Sequence, residues 1–418
     1  MNRFVLLFLA ISFTTSSAAV AAAATSPANR FVHASGKYLV DSQGHTLQLR
    51  GTSLGNWMVP EGYMFGLEGG PQSPREIETY FNELIGPAEA AQFWQAYRES
   101  YVTEEDIRYL SQTGVNSIRI PFHYKFFAPG NEEGFALLDR VVGWAEKYHL
   151  YVVLDMHCAP GGQTGANIDD SWGYPWLYES EASQAMTVAI WKRIAEHYRD
   201  NPAVLGYDLL NEPIPHFPVL QKYNSLLEPI YKRITAAIRT VDTNHLIILG
   251  GAQWDSNFAV FGAPFDSNLM YTFHKYWTAP TEDVIQSYLD FRNRYNVPIW
   301  LGESGENTDA WIHNFVQVLE KDEIGWAFWP YKKMNSPSSF VTWQKPAYWD
   351  EIVAYGKMTG NTSDTEKRIA ARPSLEHTRA TFQSLLENIR LAHCQTNAGY
   401  LQALNLTVPN REQDGKNP

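Results

Sequence analysis

The sequence has few cysteines and few positive charges for its length. Among 418 residues there are only two cysteines, Cys158 and Cys394, so a disulfide scaffold and a zinc ribbon are both excluded. The two thiols could form one disulfide at most, and two free buried thiols are the alternative. Lysine and arginine total 33 against 45 aspartates and glutamates, which gives a net charge of -12. Because the charges are interspersed and form no basic stripe, we expect no binding to nucleic acid.

Long apolar runs are also missing, apart from one near the N-terminus. Arg3 precedes an apolar run over residues 4–13, and an alanine-rich stretch ends at Ala24. This order is typical of a secretory signal peptide, and the run is shorter than the about 20 apolar residues that a membrane span needs. We predict a signal peptide over 1–24, a catalytic domain over 25–418 with no membrane span after cleavage, and a secreted or periplasmic location. An uncleaved anchor is the alternative.

Motifs of three common enzyme classes are absent. No apolar run is followed by a glycine-rich phosphate-binding turn of the nucleotide-binding kind. No H-E-x-x-H sequence occurs and the histidines are scattered singly, so we predict no metal, although a barrel can assemble ligands from distant strands. Residues 302–306 superficially resemble a serine-hydrolase turn, but Glu306 stands where G-x-S-x-G requires glycine. These absences argue against nucleotide, metal and serine chemistry.

Short apolar runs of strand length alternate with amphipathic helical stretches along most of the chain. A hairpin over residues 37–49 comes first, with a turn at 41–44. The eight candidate strands are 47–53, 117–121, 151–155, 204–210, 246–249, 269–273, 299–302 and 325–329. Strand, helix, strand units imply parallel pairing, and eight of them predict an α/β fold of the closed (β/α)8 TIM barrel type. An open doubly wound sheet is the alternative, and the link between the fifth and sixth runs shows no convincing helix.

Three connections of this predicted single domain are long. They cover residues 54–101, 158–180 and 330–373, and each leaves the carboxyl end of a strand, the face where barrel enzymes carry their sites. Four tryptophans lie in them: Trp57, Trp172, Trp176 and Trp343. We expect these loops to close one end of a cleft, which would leave a pocket for a chain terminus and produce exo action.

Polar or aromatic residues end six of the eight candidate strands. They are Arg119, Asp155 with His157, Asn211 with Glu212, His274 with Tyr276, Glu303, and Trp329. Each alone has an ordinary structural explanation, such as a solvated loop carboxylate or a buried ion pair. Together they would face one shared mouth of a barrel. We therefore predict a site in which Glu212 and Glu303 approach each other from opposite strands.

Two facing carboxylates among aromatic rings are the groups that glycoside hydrolysis needs. One acid protonates the leaving oxygen, and the other carboxylate attacks the sugar or activates water. Arg119 or the Tyr276 hydroxyl could keep one of them ionised, while burial would raise the pKa of its partner. The aromatic content of 14% suits flat sugar rings. The alternative from another class is a non-catalytic sugar-binding protein, whose expected mark would be the loss of one carboxylate.

These residues make the chain resemble glycoside hydrolase family 5, the cellulase-like family. The matching marks, in order along roughly 50–331, are Arg119, His157, Asn211-Glu212-Pro213, His274-Lys275-Tyr276, Glu303 and Trp329. The resemblance implies a retaining mechanism without a cofactor. It makes Glu212 the acid/base and Glu303 the nucleophile. It also implies substrate-binding roles for the other marks, namely Arg119, His157, Asn211, His274, Tyr276 and Trp329.

Two longer strings are similar to the exo-β-1,3-glucanase branch of that family. They cover residues 50–61 and 157–165, and in that branch a glutamate at the place of Glu61 helps to hold the terminal sugar. Cys158 and Ser304 depart from the branch. The resemblance implies a retaining β-glycosidase that removes glucose from β-glucans or β-glucosides, with carbohydrate as the partner. A glucosylceramidase-like enzyme or an endo-acting β-glycanase is the alternative.

Overall fold

The computed structural model describes residues 30–410, and its centre is a closed barrel of eight parallel strands. The strands are β1 (Arg50–Ser53), β2 (Ser117–His123), β3 (Tyr151–Cys158), β4 (Val204–Asp208), β5 (Leu246–Gly250), β6 (Leu269–His274), β7 (Ile299–Gly305) and β8 (Gly325–Trp329). Each pairs with its neighbour in sequence, and β8 closes the barrel by pairing with β1. The predicted (β/α)8 TIM barrel is confirmed. The predicted signal peptide over 1–24 lies outside the described residues.

Helices follow the strands and cover the outside of the barrel. They are α1 (Pro74–Ile85), α2 (Pro87–Tyr101), α3 (Glu104–Thr113), α4 (Glu133–Lys147), α5 (Glu181–Tyr198), α6 (Asn224–Arg239), α7 (Ala252–Asp255), α8 (Gln286–Tyr295), α9 (Asp309–Lys321), α10 (Trp349–Thr359), α11 (Thr365–Ala371), α12 (Leu375–Asn388) and α13 (Ala398–Ala403). Local signals set some ends, since α3 begins at a Thr103–Asp106 capping box and ends at Gly114 with φ 92°. Between β5 and β6 there is only the four-residue α7, whose Gln253 and Trp254 have left-handed rather than helical backbone angles, and a short 3-10 turn, Phe258–Val260.

A small antiparallel sheet covers the amino-terminal end of the barrel. The predicted hairpin is present as Tyr38–Val40 paired with Thr46–Leu47, and His33–Ser35 adds a third strand. Val32 and Leu39 of this sheet pack with side chains from the lower barrel interior. Those side chains, called the apolar layer below, are Leu49, Val153, Leu205, Leu246, Ile248, Met270, Trp300 and Ala327. The larger core lies between strands and helices.

A second small sheet lies after β8, above the carboxyl-terminal end of the barrel. Its strand Lys332–Met334 pairs with Val341–Trp343, which pairs in turn with Gln395–Thr396 near the end of the described chain. Cys158 and Cys394 are both buried and no disulfide joins them, so the disulfide alternative does not hold. Within residues 30–410, no helix has the length and apolar character that crossing a membrane requires.

Candidate active site

A β-bulge in β7 aims Glu303 into the barrel. Leu301 pairs with Phe273, but Glu303 pairs with His274, so β7 carries one extra residue at this point. Strict alternation from Trp300 would have turned Ser304 toward the barrel axis instead. Gly302 is required beside the bulge because a Cβ there would lie 2.2 Å from Thr272 Oγ1. The irregular strand end therefore decides which side chain reaches the site.

Arg119 occupies the centre of the upper barrel interior and is bound by four acceptors. Its guanidinium donates to Asp208 Oδ2 at 2.9 Å, to Asn211 Oδ1 at 2.9 Å and to Glu303 Oε1, and lies 3.2 Å from Asp155 Oδ2. Burial acts to lower the pKa of Arg119, but the surrounding carboxylates together have the larger effect. The pKa of Arg119 is therefore raised above its usual value. Arg119 and these partners, called the charged layer below, lie directly beneath the candidate site.

Glu303 receives two donors at its carboxylate. Arg119 donates to Oε1, and the Tyr276 hydroxyl donates to Oε2 at 3.1 Å. Burial and the nearby Glu303 charge raise the pKa of Tyr276 well above its usual value, so its hydroxyl keeps its hydrogen. An anionic oxygen is the acceptor that both donors fit.

Glu212 follows β4 with a left-handed backbone, φ 46°, which non-glycine residues rarely adopt. Its Oε1 lies 3.0 Å from Nδ1 of His274, and its amide hydrogen is donated to Asp255 Oδ2 at 3.0 Å. Burial raises the pKa of Glu212, while His157 and Arg119 act in the opposite direction. The two glutamates therefore differ in their surroundings: Glu303 has two donors, and Glu212 faces a histidine.

The two histidines predicted for the site, His157 and His274, are buried, and their lowered pKa values favour the neutral form. Burial lowers the pKa of His157 to about 4 and that of His274 to about 3, although nearby carboxylates oppose the shift. His157 Nδ1 lies 2.8 Å from Asp155 Oδ2, and its ring stacks on Trp329 at 5.7 Å between centroids. Both rings therefore supply hydrogen-bonding groups to the site.

A cavity of about 630 Å³ lies over these groups. It is lined by Glu61, Tyr63, His157, Ile168, Glu212, His216, Trp254, Ser256, His274, Lys275, Tyr276, Trp277, Thr278, Glu303, Glu306 and Trp329. Seven of the nine predicted site residues thus line one cavity. Arg119 and Asn211 do not line the cavity but lie behind its wall. There Arg119 donates hydrogen bonds to Glu303 and to Asn211.

The four tryptophans of the long loops lie outside the cavity lining. Trp57 and Trp343 are buried in the large core, and Trp172 and Trp176 lie outside the cavity lining with 68% and 47% of their surface exposed. None of these four tryptophans lines the cavity, but Glu61, Tyr63 and Ile168 of the same long loops do. The tryptophans of the cavity are Trp254, Trp277 and Trp329.

One wall of the cavity is formed by residues whose role sequence reasoning partly missed. Glu61 is buried, and burial together with Glu303, Glu212 and Glu306 raises its pKa well above its usual value. The Tyr63 hydroxyl accepts from Trp329 Nε1 at 2.7 Å, and Lys333 donates to Glu306 at 2.6 Å. Glu306 could have been found, because it follows the same strand end as Glu303. Tyr63 carried no signal that separated it from other loop aromatics.

Two groups of side chains could hold a metal ion by distance alone. They are Asp155, His157 and Glu303, and Glu212, His274 and Glu303; within each, the donor atoms lie within 4.8 Å of one another. In both groups Glu303 already accepts from Arg119 and Tyr276. The donor set of both groups therefore fits a hydrogen-bonded catalytic cluster.

Comparison with known proteins identifies the family. Residues 80–335 match the family model described as cellulase, glycosyl hydrolase family 5. The chain belongs to glycosyl hydrolase family 5. This membership makes the protein a β-glycosidase and its substrate a carbohydrate, as the sequence marks implied.

Relatives of this family 5 enzyme carry several specificities. A β-xylosidase of Phanerodontia chrysosporium is 29% identical over 348 residues, which cover 73% of this chain and 71% of that protein. Endoglucanase C of Acetivibrio thermocellus is 24% identical over 58% of this chain and 88% of its own. A probable glucan 1,3-β-glucosidase A of Emericella nidulans is 30% identical over 41% and 43% of the two chains.

A solved structure described as an endogalactoceramidase shares the fold of the family 5 enzyme. It matches with a TM-score of 0.55 and 22% identity, over 72% of this chain and 75% of its own.

Proposed function

We propose that this enzyme is a retaining β-glycosidase in which Glu303 is the nucleophile and Glu212 the general acid/base. The observation that carries the proposal is the short separation of the two carboxylates: one oxygen of each lies within 4.8 Å of the other. Retaining glycosidases place their carboxyl groups about 5 to 5.5 Å apart, whereas inverting ones need roughly 6.5 to 9.5 Å to admit a water. The separation therefore favours direct attack by Glu303.

The reaction then runs in two displacements. A Glu303 oxygen attacks the anomeric carbon while Glu212 gives its proton to the glycosidic oxygen, which leaves as an alcohol. Ionised Glu212 next takes a proton from water, whose oxygen attacks the same carbon and releases Glu303. Arg119 and Tyr276 stabilise the Glu303 carboxylate before attack and after release. Because the pKa of Glu212 is raised, its carboxyl keeps the proton that it gives in the first step.

We propose β-glucosides and β-glucans as substrates, cleaved by exo action. Glu61, Tyr63, Trp329 and Glu306 make one polar wall, and Glu61 and Trp329 are almost fully buried. Such a wall suits the hydroxyls of a terminal sugar. Trp277, with 75% of its surface exposed, suits a leaving group that extends toward solvent. The enzyme would act outside the cytoplasm, after removal of residues 1–24.

Two other specificities have support of their own. The relative described as a β-xylosidase makes terminal β-xylose the second candidate for the sugar. An endo-acting β-glycanase or a glucosylceramidase-like enzyme would use the same carboxylates with a more open cavity. A non-catalytic sugar-binding protein is disfavoured, because both carboxylates are in place.

Stereochemistry tests the mechanism. Proton NMR of a fresh aryl β-glucoside digest should show the β-anomer of the released sugar first, with the α-anomer appearing only by mutarotation. A 2-fluoro glycoside with a good leaving group should label Glu303, because fluorine slows both steps and the intermediate accumulates. Initial α-anomer, or a label on Glu212 or Glu306, would refute the assignment. In a parallel digest of a long β-glucan, a rapid fall in viscosity would refute exo action.

A further inference from the structure

The link after β5 begins with an unusual left-handed turn. Gln253, Trp254 and Asp255 have φ values of 54°, 58° and 56°, a conformation that costs free energy for side-chain-bearing residues. The turn is held on both sides. The Asn257 amide donates to Ala252 O at 2.8 Å, and the Gln253 side chain donates to Asn224 Oδ1 at 2.8 Å. The surrounding structure therefore maintains a costly backbone that aims Asp255 inward.

Asp255 is fully buried beneath the acid/base side of the site. Its Oδ2 accepts the Glu212 amide hydrogen at 3.0 Å and lies 3.4 Å from Nε2 of His274. Its Oδ1 packs directly over Gly250, where a Cβ would lie 1.9 Å from that oxygen. Asp255 does not line the cavity, so its carboxyl cannot reach a substrate.

These contacts close a ring around Glu212. Asp255 holds the Glu212 amide, while the imidazole that faces Asp255 with Nε2 presents Nδ1 to Glu212 Oε1 at 3.0 Å. The Asp255 carboxyl, on the turn after β5, therefore contacts the backbone of Glu212 and also the His274 ring. That ring in turn contacts the Glu212 side chain. The orientation and tautomer of a catalytic side chain, like those of a metal ligand, depend on the neighbouring groups that contact it.

We propose that Asp255 is the positioning residue of the acid/base group: it fixes the left-handed backbone of Glu212 and orients His274 so that Nδ1 faces the Glu212 carboxyl. Nε2 of His274 faces Asp255 at 3.4 Å, so Nδ1 is the ring nitrogen that faces the Glu212 carboxyl. The inference rests on the proposed role of Glu212.

The chemical state of Asp255 determines which variant should replace it. Burial, with the nearby Asp208 and Glu212 charges, raises the pKa of Asp255 well above its usual value. A neutral carboxyl offers a carbonyl oxygen to the Glu212 amide and places that oxygen 3.4 Å from His274 Nε2, a contact without a hydrogen bond. The asparagine amide offers a carbonyl of the same shape. Leucine has similar size but no acceptor.

The test compares Asp255→Leu, Asp255→Asn and the wild type on two aryl β-glucosides, one with a good and one with a poor leaving group. For Leu we expect kcat/KM to fall about 100-fold on the poor leaving group and less than about threefold on the good one, because only the former needs the acid. On the good substrate kcat and KM should fall together, since the second step still needs Glu212 as a base. Asn should retain both activities within about threefold.

Thr235→Val is the matched control. Thr235 is also a buried polar residue, on α6 outside the barrel, and its Oγ1 has no hydrogen-bond partner within the described structure. We expect it to leave both substrates unaffected. If the Leu variant does not fold, as judged by circular dichroism, Gly250→Ala decides instead, because its Cβ displaces the Asp255 carboxyl; it should show the same dependence on leaving group.

Two outcomes would overturn the inference. Equal loss on both substrates in the deciding variant would mean that Asp255 supports the site only structurally, and no loss would mean that it has no role. Wild-type protein that cleaves neither glucoside would count against the proposed function itself, so the two failures are distinguishable.

Discussion

The two layers of the barrel interior are built from opposite kinds of side chain. The apolar layer, closed off by the N-terminal sheet, contains aliphatic residues and Trp300. The charged layer above it holds Arg119 among three carboxylates and Asn211. The same eight strands form both layers, so the barrel fold does not determine which kind of side chain fills either layer. The comparison shows that an apolar base can support a buried ionic cluster, and that this cluster holds the Glu303 carboxylate in place.

The largest effect on activity should come from removing the Glu303 carboxylate, the member of the charged layer that lines the cavity. Glu303→Gln keeps the size of the side chain but removes the nucleophilic anion, and we expect kcat to fall by at least about a thousandfold. The unfolding midpoint should hardly change. Glu282→Gln, which alters an exposed partner of Lys321, is the control and should behave as wild type. Retained turnover in Glu303→Gln would exclude Glu303 as nucleophile.

The largest effect on stability should come from the centre of the charged layer. Arg119→Met leaves Asp155, Asp208 and Glu303 without their shared cation, and we expect a loss of about 3–5 kcal/mol in the free energy of unfolding. Urea denaturation measures it. Arg233→Met breaks an exposed pair with Glu181 and should cost at most about 1 kcal/mol. Equal costs for the two variants would mean that burial does not distinguish the layers.

A pH profile should report the acid next to the charged layer. Because the pKa of Glu212 is raised, its carboxyl stays protonated above the usual range for glutamate. The value of kcat/KM should therefore fall only as the pH rises through that raised pKa, by about tenfold per unit. In Glu212→Ala, activated aryl glucosides should lose this alkaline limb. An alkaline limb already at the usual pKa of glutamate would contradict the assignment.

The smallest effect should come from a mild change in the apolar layer. Ile248→Val removes one buried methyl group, and we expect a loss of about 0.5–1.5 kcal/mol in the free energy of unfolding. The kinetic constants on both types of aryl glucoside should be unchanged. A fall in kcat without a larger loss of stability would show that the two layers are coupled.

The barrel was predictable because its signal is local. Each strand is a short apolar run, and every predicted run overlaps an observed strand. The polar residues at the strand ends were equally visible, and seven of the nine predicted site residues line the cavity. Arg119 and Asn211 lie behind the cavity wall instead, because the spacing of residues along a strand end does not give the depth or direction of a side chain.

The remaining features depend on tertiary contacts that no pattern announces. The bulge that selects Glu303 over Ser304 needs the neighbouring strands to define it. The left-handed turn at residues 253–255 contains no glycine, so nothing in its sequence signals that backbone. The burial of Trp57 and Trp343 follows from packing across the chain, and loop length gave no account of it.

The pairing of Gln395–Thr396 with Val341–Trp343 affects the order in which the site can form during synthesis. Val341–Trp343 pairs with the strand Lys332–Met334, which carries the Lys333 partner of Glu306, and Asn397 donates to Ser336 O and Ser339 O at 2.9 Å. A ribosome releases the N-terminal part of a chain first. The barrel strands therefore emerge well before the segment that fastens one wall of the cavity. A nascent chain can close its barrel, but it completes the wall only when residues 395–397 have left the exit tunnel.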